Sequence, residues 1–277
     1  MSRMQSLIGT ECYMEKLLEA LRELVEGLGA PVVGAQHVTC SDETEWECAE
    51  TFQRWFSDRL LPALKSSSRQ TFRTMNLGGR YEWGSLRIAE EHFATPETTS
   101  SFKAMVLKID SHVAVRPTPN GPEYGWLMRY HRESACCGAL AALLEGSRLP
   151  ALRELAEAFN FGGYNRLAVL RDPRIVAVEH RALATAVVNA RLQAQRAVAD
   201  LQEHRPHSPT VFLVLPCVTI NRPGPDTQFL VGEFAVDWTE QKPAIKYHGL
   251  GDDPAAYRIL PDPARLRIED PHWPATK

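Results

Sequence analysis

The chain has 277 residues, 44% of them hydrophobic and 23% charged, with a net charge of −3. That length buries a large core, and that charge gives no electrostatic ground for nucleic acid or an anionic membrane as partner. Apolar runs fall far short of the roughly 18 residues of a membrane span, the first residues lack the apolar core of a secretory signal, and the scattered cysteines form neither a disulfide framework nor a CxxC pair, so a reducing cytoplasm is the expected compartment.

Thr10 opens a predicted helix from Glu11 to Leu28, with Met14, Leu17, Leu18, Leu21, Leu24, Val25 and Leu28 on one stripe. Gly29 and Pro31 stop it, and Pro31 to Thr39 reads as a short strand. Asp42 and Glu45 have capping-box spacing and open a second helix, which buries Trp46, Ala49, Phe52, Phe56 and Leu60 before Pro62. The stretch 66–96 is less regular; it holds Asn76-Leu77-Gly78-Gly79 and then SLRIAEEHFA, a short helix.

The segment from Phe102 to Gly146 reads as strand, turn, strand and helix. Asn120-Gly121 is a hairpin signal, because both residues tolerate the positive φ of a type I′ turn. Centred there, the register sets Asp110 opposite His131 and His112 opposite Arg129. One face of the first strand is apolar (Ile109, Val113, Val115), and the other carries Lys108, Asp110, His112 and Arg116. Ser134 is the expected N-cap of the following helix, with Cys136 and Cys137 in its first turn.

A helix follows at Pro150 to Phe159, ending in Asn160-Phe161-Gly162-Gly163, and Arg166 to Leu170 reads as a brief strand or turn. Asp172-Pro173 starts a long helix, about 173–204, with a seam of Leu183, Val187, Ala190, Ala194, Ala197 and Leu201. That seam suits an internal packing surface or a homo-oligomer contact. TVFLVLPCVTI, QFLVGEFAVDW and Lys242 to Leu250 read as C-terminal strands within about 210–250, the first covered on both faces. From Gly251 onward the chain reads as an extended segment over the body.

With no linker dividing it, the chain is expected to be one α+β domain over 1–277, its helical portion 1–66 packed on the main body. Its sheet is expected to be antiparallel or mixed, with a central hairpin at about 102–131. The Walker loop, GxGxxG, HExxH, GxSxG and CxxC are all absent.

The chemistry-bearing residues converge on the central hairpin. In one reading, Cys136 or Cys137 at a helix N-terminus is a thiolate nucleophile. His131 or His112 is then the base, Asp110 its orienter and Arg129 the oxyanion partner, for hydrolysis or group transfer on a small molecule. In another, Asp110, His112 and His131 ligate zinc or iron and leave a position open, with Glu90, Glu91 or His92 in reserve. The cofactor identity stays open between these two readings. Polar alternation of this kind also describes a solvated strand face with cross-strand ion pairs. A third class is a non-catalytic assembly or regulatory protein using the long helix. Glu233 and Asp237 are lesser pocket candidates, and Glu179-His180 is surface decoration.

Overall fold

The structure, a computed structural model, describes residues 3–29, 32–63, 71–93, 102–129, 132–222 and 226–249. His131 and the segment from Gly251 onward lie outside the described residues, as do parts of 66–96; Arg129 is described in its backbone alone.

The chain opens with a short helix α1 (Arg3–Ser6) and a two-residue strand β1 (Cys12–Tyr13). Helix α2 (Met14–Leu28) starts later than expected because Cys12 and Tyr13 pair with a distant strand; it stops at Gly29, whose φ of 63° is left-handed. Strand β2 (Val32–Cys40) leads into a 3-10 turn over Glu43–Glu45 and then helix α3 (Trp46–Trp55). Asp42 caps this turn, its Oδ1 accepting from the Thr44 N–H at 3.2 Å. Glu45 does not complete the capping box: its buried carboxylate accepts from Thr39 Oγ1 at 2.9 Å instead. Trp46, expected inside, is 54% exposed, with Arg73 over its ring. A π turn (Phe56–Leu60) carries α3 into α4 (Leu61–Ala63), and strand β3 (Thr71–Asn76) and helix α5 (Trp83–His92) follow.

The organising strand is β4 (Lys103–Thr118). It lies between β2 and β8 (Thr210–Asn221), parallel to both, and β3 runs parallel to β2 on its other side. Parallel neighbours need crossovers, and here α3 connects β2 to β3 while α5 connects β3 to β4. Antiparallel strands β9 (Thr227–Leu230), β10 (Gly232–Asp237) and β11 (Ala244–Gly249) complete the mixed sheet expected from the sequence. QFLVGEFAVDW therefore divides at Val231 into two strands, both paired with β8.

The hairpin signal marks a real reversal with a different centre. Thr118 pairs with Gly121, and Val115 with Tyr124 of β5 (Gly121–Tyr124), two residues away from the expected register but with the same parity. Pro119 and Asn120 sit at the centre, and proline's fixed negative φ is incompatible with a type I′ turn. The expected second arm stops at Tyr124. Beyond Gly125 (φ 98°), β6 (Trp126–Arg129) pairs with β7 (Arg132–Ala135) in a separate two-stranded sheet. β8 pairs with Lys103 to Ala114 and β2 with Ala104 to Ile109, while β5 pairs only with Val115 to Thr118, so among the described residues Asp110 and His112 have no hairpin partner.

Past β7, helix α6 (Gly138–Glu145) is followed by α7 (Arg153–Ala158), α8 (Arg166–Arg171) and the long α9 (Arg181–Glu203). Arg166 to Leu170 is helix rather than strand or turn, capped by Asn165 Oδ1 on the Ala168 N–H at 3.1 Å. Asp172 ends α8 instead of starting the long helix, and its carbonyl accepts from Ile175 and Val176. The helices sandwich the sheet. α2 and α3 cover Ala104, Val106, Leu213 and Leu215, while α5 and α9 cover Met105, Leu107, Ile109, Phe212 and Val214. The α9 seam (Leu183, Val187, Ala190, Ala194, Ala197, Leu201) is buried against this chain's own sheet and helices.

Candidate metal centre

Burial on both faces changes the meaning of the polar alternation. Lys108 and Asp110 are 1% exposed and His112 is 0% exposed, so this is no solvated face. Asp110 Oδ2 lies 2.5 Å from His37 Nε2 and also accepts from Lys108 Nζ. Burial would raise its pKa, but Lys108, and then His37, bring it down to about 2. Burial likewise pulls against the Lys108 charge, and Asp110 overrides it to raise that pKa. Asp110 is thus the anchor of a buried ion pair.

His112, two residues further along β4, faces a different group. Its Nδ1 lies 2.9 Å from Asn221 Oδ1, 3.3 Å from Thr44 Oγ1 and 3.5 Å from Cys136 Sγ, while its Nε2 is buried without a hydrogen-bond partner among the described residues. Glu45 Oε1 is 3.7 Å from Nδ1. Burial opposes a charged imidazole, yet Glu45 and the sulfur of Cys137 raise its pKa well above the usual histidine value. Glu45 is itself pushed up to about 7, chiefly by burial.

Cys137 is the N-cap of α6, one position outside the helix, and Cys136 precedes it; the helix begins later than a Ser134 cap implied. Ser134 instead lies in β7, its hydroxyl on the Leu127 carbonyl at 3.5 Å. Cys137 Sγ reaches Cys40 Sγ at 3.6 Å, and Cys40 ends β2. The Cys40 and Cys137 sulfurs and one His112 ring nitrogen all lie within 4.8 Å of one another, and all three residues are buried. The contact with Cys137, with His112 adding to it, pulls the Cys40 thiol below the usual cysteine range against its burial. The same contact, together with burial, pushes the Cys137 thiol up.

This donor set fits a tetrahedral zinc ion. Two sulfurs bound at about 2.3 Å to one tetrahedral centre lie about 3.8 Å apart, close to the observed 3.6 Å. A ligating imidazole uses one nitrogen for the metal and anchors the other; here Nδ1 meets Asn221 and Nε2 is left over. Asp42, two residues after Cys40, forms a second group with His112 and Cys136 within the same 4.8 Å limit. Of the residues singled out in the sequence, His112, Cys136 and Cys137 come together, whereas Asp110 points to His37 and Lys108. Glu90 lies elsewhere, 3.1 Å from Lys103 Nζ and 2.9 Å from His207 Nδ1. Cys40, Asp42, Glu45 and Asn221 were missed as site residues. The one available signal was that Cys40 ends a strand just before a helix, since ligands gather at the carboxyl ends of parallel strands.

Fold and site together define a mixed-sheet α/β protein with a buried Cys–His–Cys cluster where parallel strands end. No family model and no curated protein matches this sequence. Among solved structures, the chain is similar to PtLCIB4, a homolog of the limiting CO2-inducible protein LCIB, at 17% identity and a TM-score of 0.59 over 87% of this chain and 97% of that one. It is also similar to LCIB itself, at 14% identity and a TM-score of 0.52 over 87% and 98% of the two chains. These likenesses establish a shared fold.

Proposed function

We propose that the chain is a zinc-dependent enzyme that hydrates a small electrophile, with carbon dioxide as substrate. The observation that carries this reading is the convergence of Cys40, His112 and Cys137 in one buried cluster, with His112 Nε2 left without a hydrogen-bond partner among the described residues. Zinc held there would supply a Lewis acid that brings the pKa of a bound water to about 7. Cys40 and Cys137 would hold the ion as thiolates, and Asn221 fixes the His112 ring. Asp42 is held by the N–H and hydroxyl of Thr44, at 3.2 Å and 3.1 Å, and would orient a water beside His112. Glu45 would take or return a proton near neutrality. Such complete burial favours a small substrate, and the similar fold of LCIB belongs to a protein called limiting CO2-inducible.

The test is metal content after purification without an affinity tag, together with carbon dioxide hydration followed by a pH indicator in stopped flow. One zinc per chain is expected, with hydration and zinc both lost in His112→Ala. Protein without metal, or hydration unchanged in that variant, would overturn the reading. Cys136 Sγ at 3.5 Å from His112 Nδ1 supports a second reading, a cysteine nucleophile. Activity that survives chelation and disappears in Cys136→Ala would favour it.

A further inference from the structure

α9 packs an apolar, alanine-rich face on the sheet, yet Asn189 and Gln193 on that face are 0% exposed. A buried amide is costly unless its hydrogen bonds are made, and both side chains reach the same turn. Asn189 Nδ2 donates to the Gly78 carbonyl at 2.5 Å and to Ser111 Oγ at 3.2 Å. Asn189 Oδ1 accepts from Gln193 Nε2 at 3.2 Å, and Gln193 Oε1 accepts from the Tyr81 N–H at 3.1 Å. The amide pair thus grips the turn after β3 at both ends.

That turn reaches the cluster. The Gly78 N–H donates to Cys40 Sγ at 3.2 Å. Gly78 and Gly79 have φ of 67° and 68°, and a Cβ on Gly79 would lie 2.1 Å from the Asp110 carbonyl oxygen. The backbone is pressed onto β4 in a conformation that only glycine adopts readily, so its N–H has little freedom to turn elsewhere.

We infer that Asn189 and Gln193 are positioning residues for the metal centre, holding the Gly78 N–H on the Cys40 sulfur through the glycine turn. The inference rests on the zinc reading above. Hydrogen bonds to a ligating sulfur set how much electron density it gives the metal, and removing an outer partner of a ligand costs about 10- to 100-fold in metal affinity.

The experiment uses cobalt(II) in place of zinc in the full chain, reading the thiolate-to-cobalt charge-transfer band and the cobalt dissociation constant. Asn189→Leu keeps the shape and removes the hydrogen bonds; Gln193→Met releases the Tyr81 end and takes one hydrogen bond from Asn189, leaving the Asn189 bond to the Gly78 carbonyl. Leu201→Ala, on the same helix and buried in a cluster that holds neither Cys40 nor Cys137, controls for lost stability. The band should shift and affinity fall about 10- to 100-fold in Asn189→Leu, in the same direction but less in Gln193→Met, and not at all in Leu201→Ala. Wild-type cobalt binding with unchanged band and affinity in folded Asn189→Leu would overturn this inference alone. If Asn189→Leu does not fold, the same result in Gln193→Met would overturn it. Wild-type protein that takes up no cobalt would overturn the zinc reading and this inference with it.

Discussion

Cys40 and Cys137 are 97 positions apart in the chain, and their sulfurs lie 3.6 Å apart in the fold. Cys40 arrives at the end of β2 and Cys137 at the cap of α6, on opposite sides of the Asn76–Gly79 turn in chain order. Replacing either by serine removes a soft donor from a three-residue set. Cys40→Ser and Cys137→Ser should each carry less than about a tenth of the wild-type zinc by elemental analysis; retention of full zinc by both would contradict the ligand assignment.

Asn221 should matter to the metal without touching it. Its Oδ1 lies 2.9 Å from His112 Nδ1, and its Nδ2 donates to Asp226 Oδ2 at 3.1 Å. Asn221→Ala frees the imidazole to rotate and should weaken zinc binding by about 10- to 100-fold, as measured by competition with a chromophoric chelator.

The Lys108–Asp110 pair sets a stability prediction. Asp110→Asn leaves a buried ammonium facing no full negative charge, and removing one partner of a buried pair costs about 3–5 kcal/mol. Urea unfolding should show a loss of that order, larger than for the double replacement Lys108→Met with Asp110→Asn. The pH dependence follows from the Asp110 pKa, which folding lowers from 3.8 to about 2. A carboxyl with a lowered folded pKa adds stability above its unfolded value and loses it as pH falls through the folded one. Wild type should therefore lose this contribution between about pH 4 and pH 2, and Asp110→Asn should lack that part of the acid transition.

Gly79→Ala should fail to accumulate as folded protein. The added Cβ meets the Asp110 carbonyl oxygen at 2.1 Å with φ at 68°, and the neighbour is backbone that cannot step aside. Gly84→Ala is the control, because a Cβ there meets nothing within 4 Å. The two variants should separate clearly in soluble yield and thermal melting.

Ala194→Glu tests the long helix. Ala194 is 0% exposed in the cluster with Phe212 and Val214. A glutamate there buries an unpaired carboxylate, so the variant should lose several kcal/mol of stability, seen in its denaturation midpoint. A change confined to oligomeric size, with stability intact, would show that this face is free for a partner.

The amino-acid sequence by itself determined the local features. Hydrophobic period placed α2, α3 and the bulk of α9, and Gly29 the stop of α2; Asn120-Gly121 marked the reversal after β4; and alternation gave the parity of its two faces. Each depends on residues within a few positions of one another, where backbone geometry and burial act directly. Only the tertiary structure decided that Lys108, Asp110 and His112 are interior, because β4 lies inside the parallel part of a sheet whose face α2 and α3 cover, and parallel pairing joins segments that no turn residue links. The cluster of Cys40, His112 and Cys137 has the same origin. Three separate pieces of chain supply one donor each, and no spacing along the chain encodes the closeness that packing gives them.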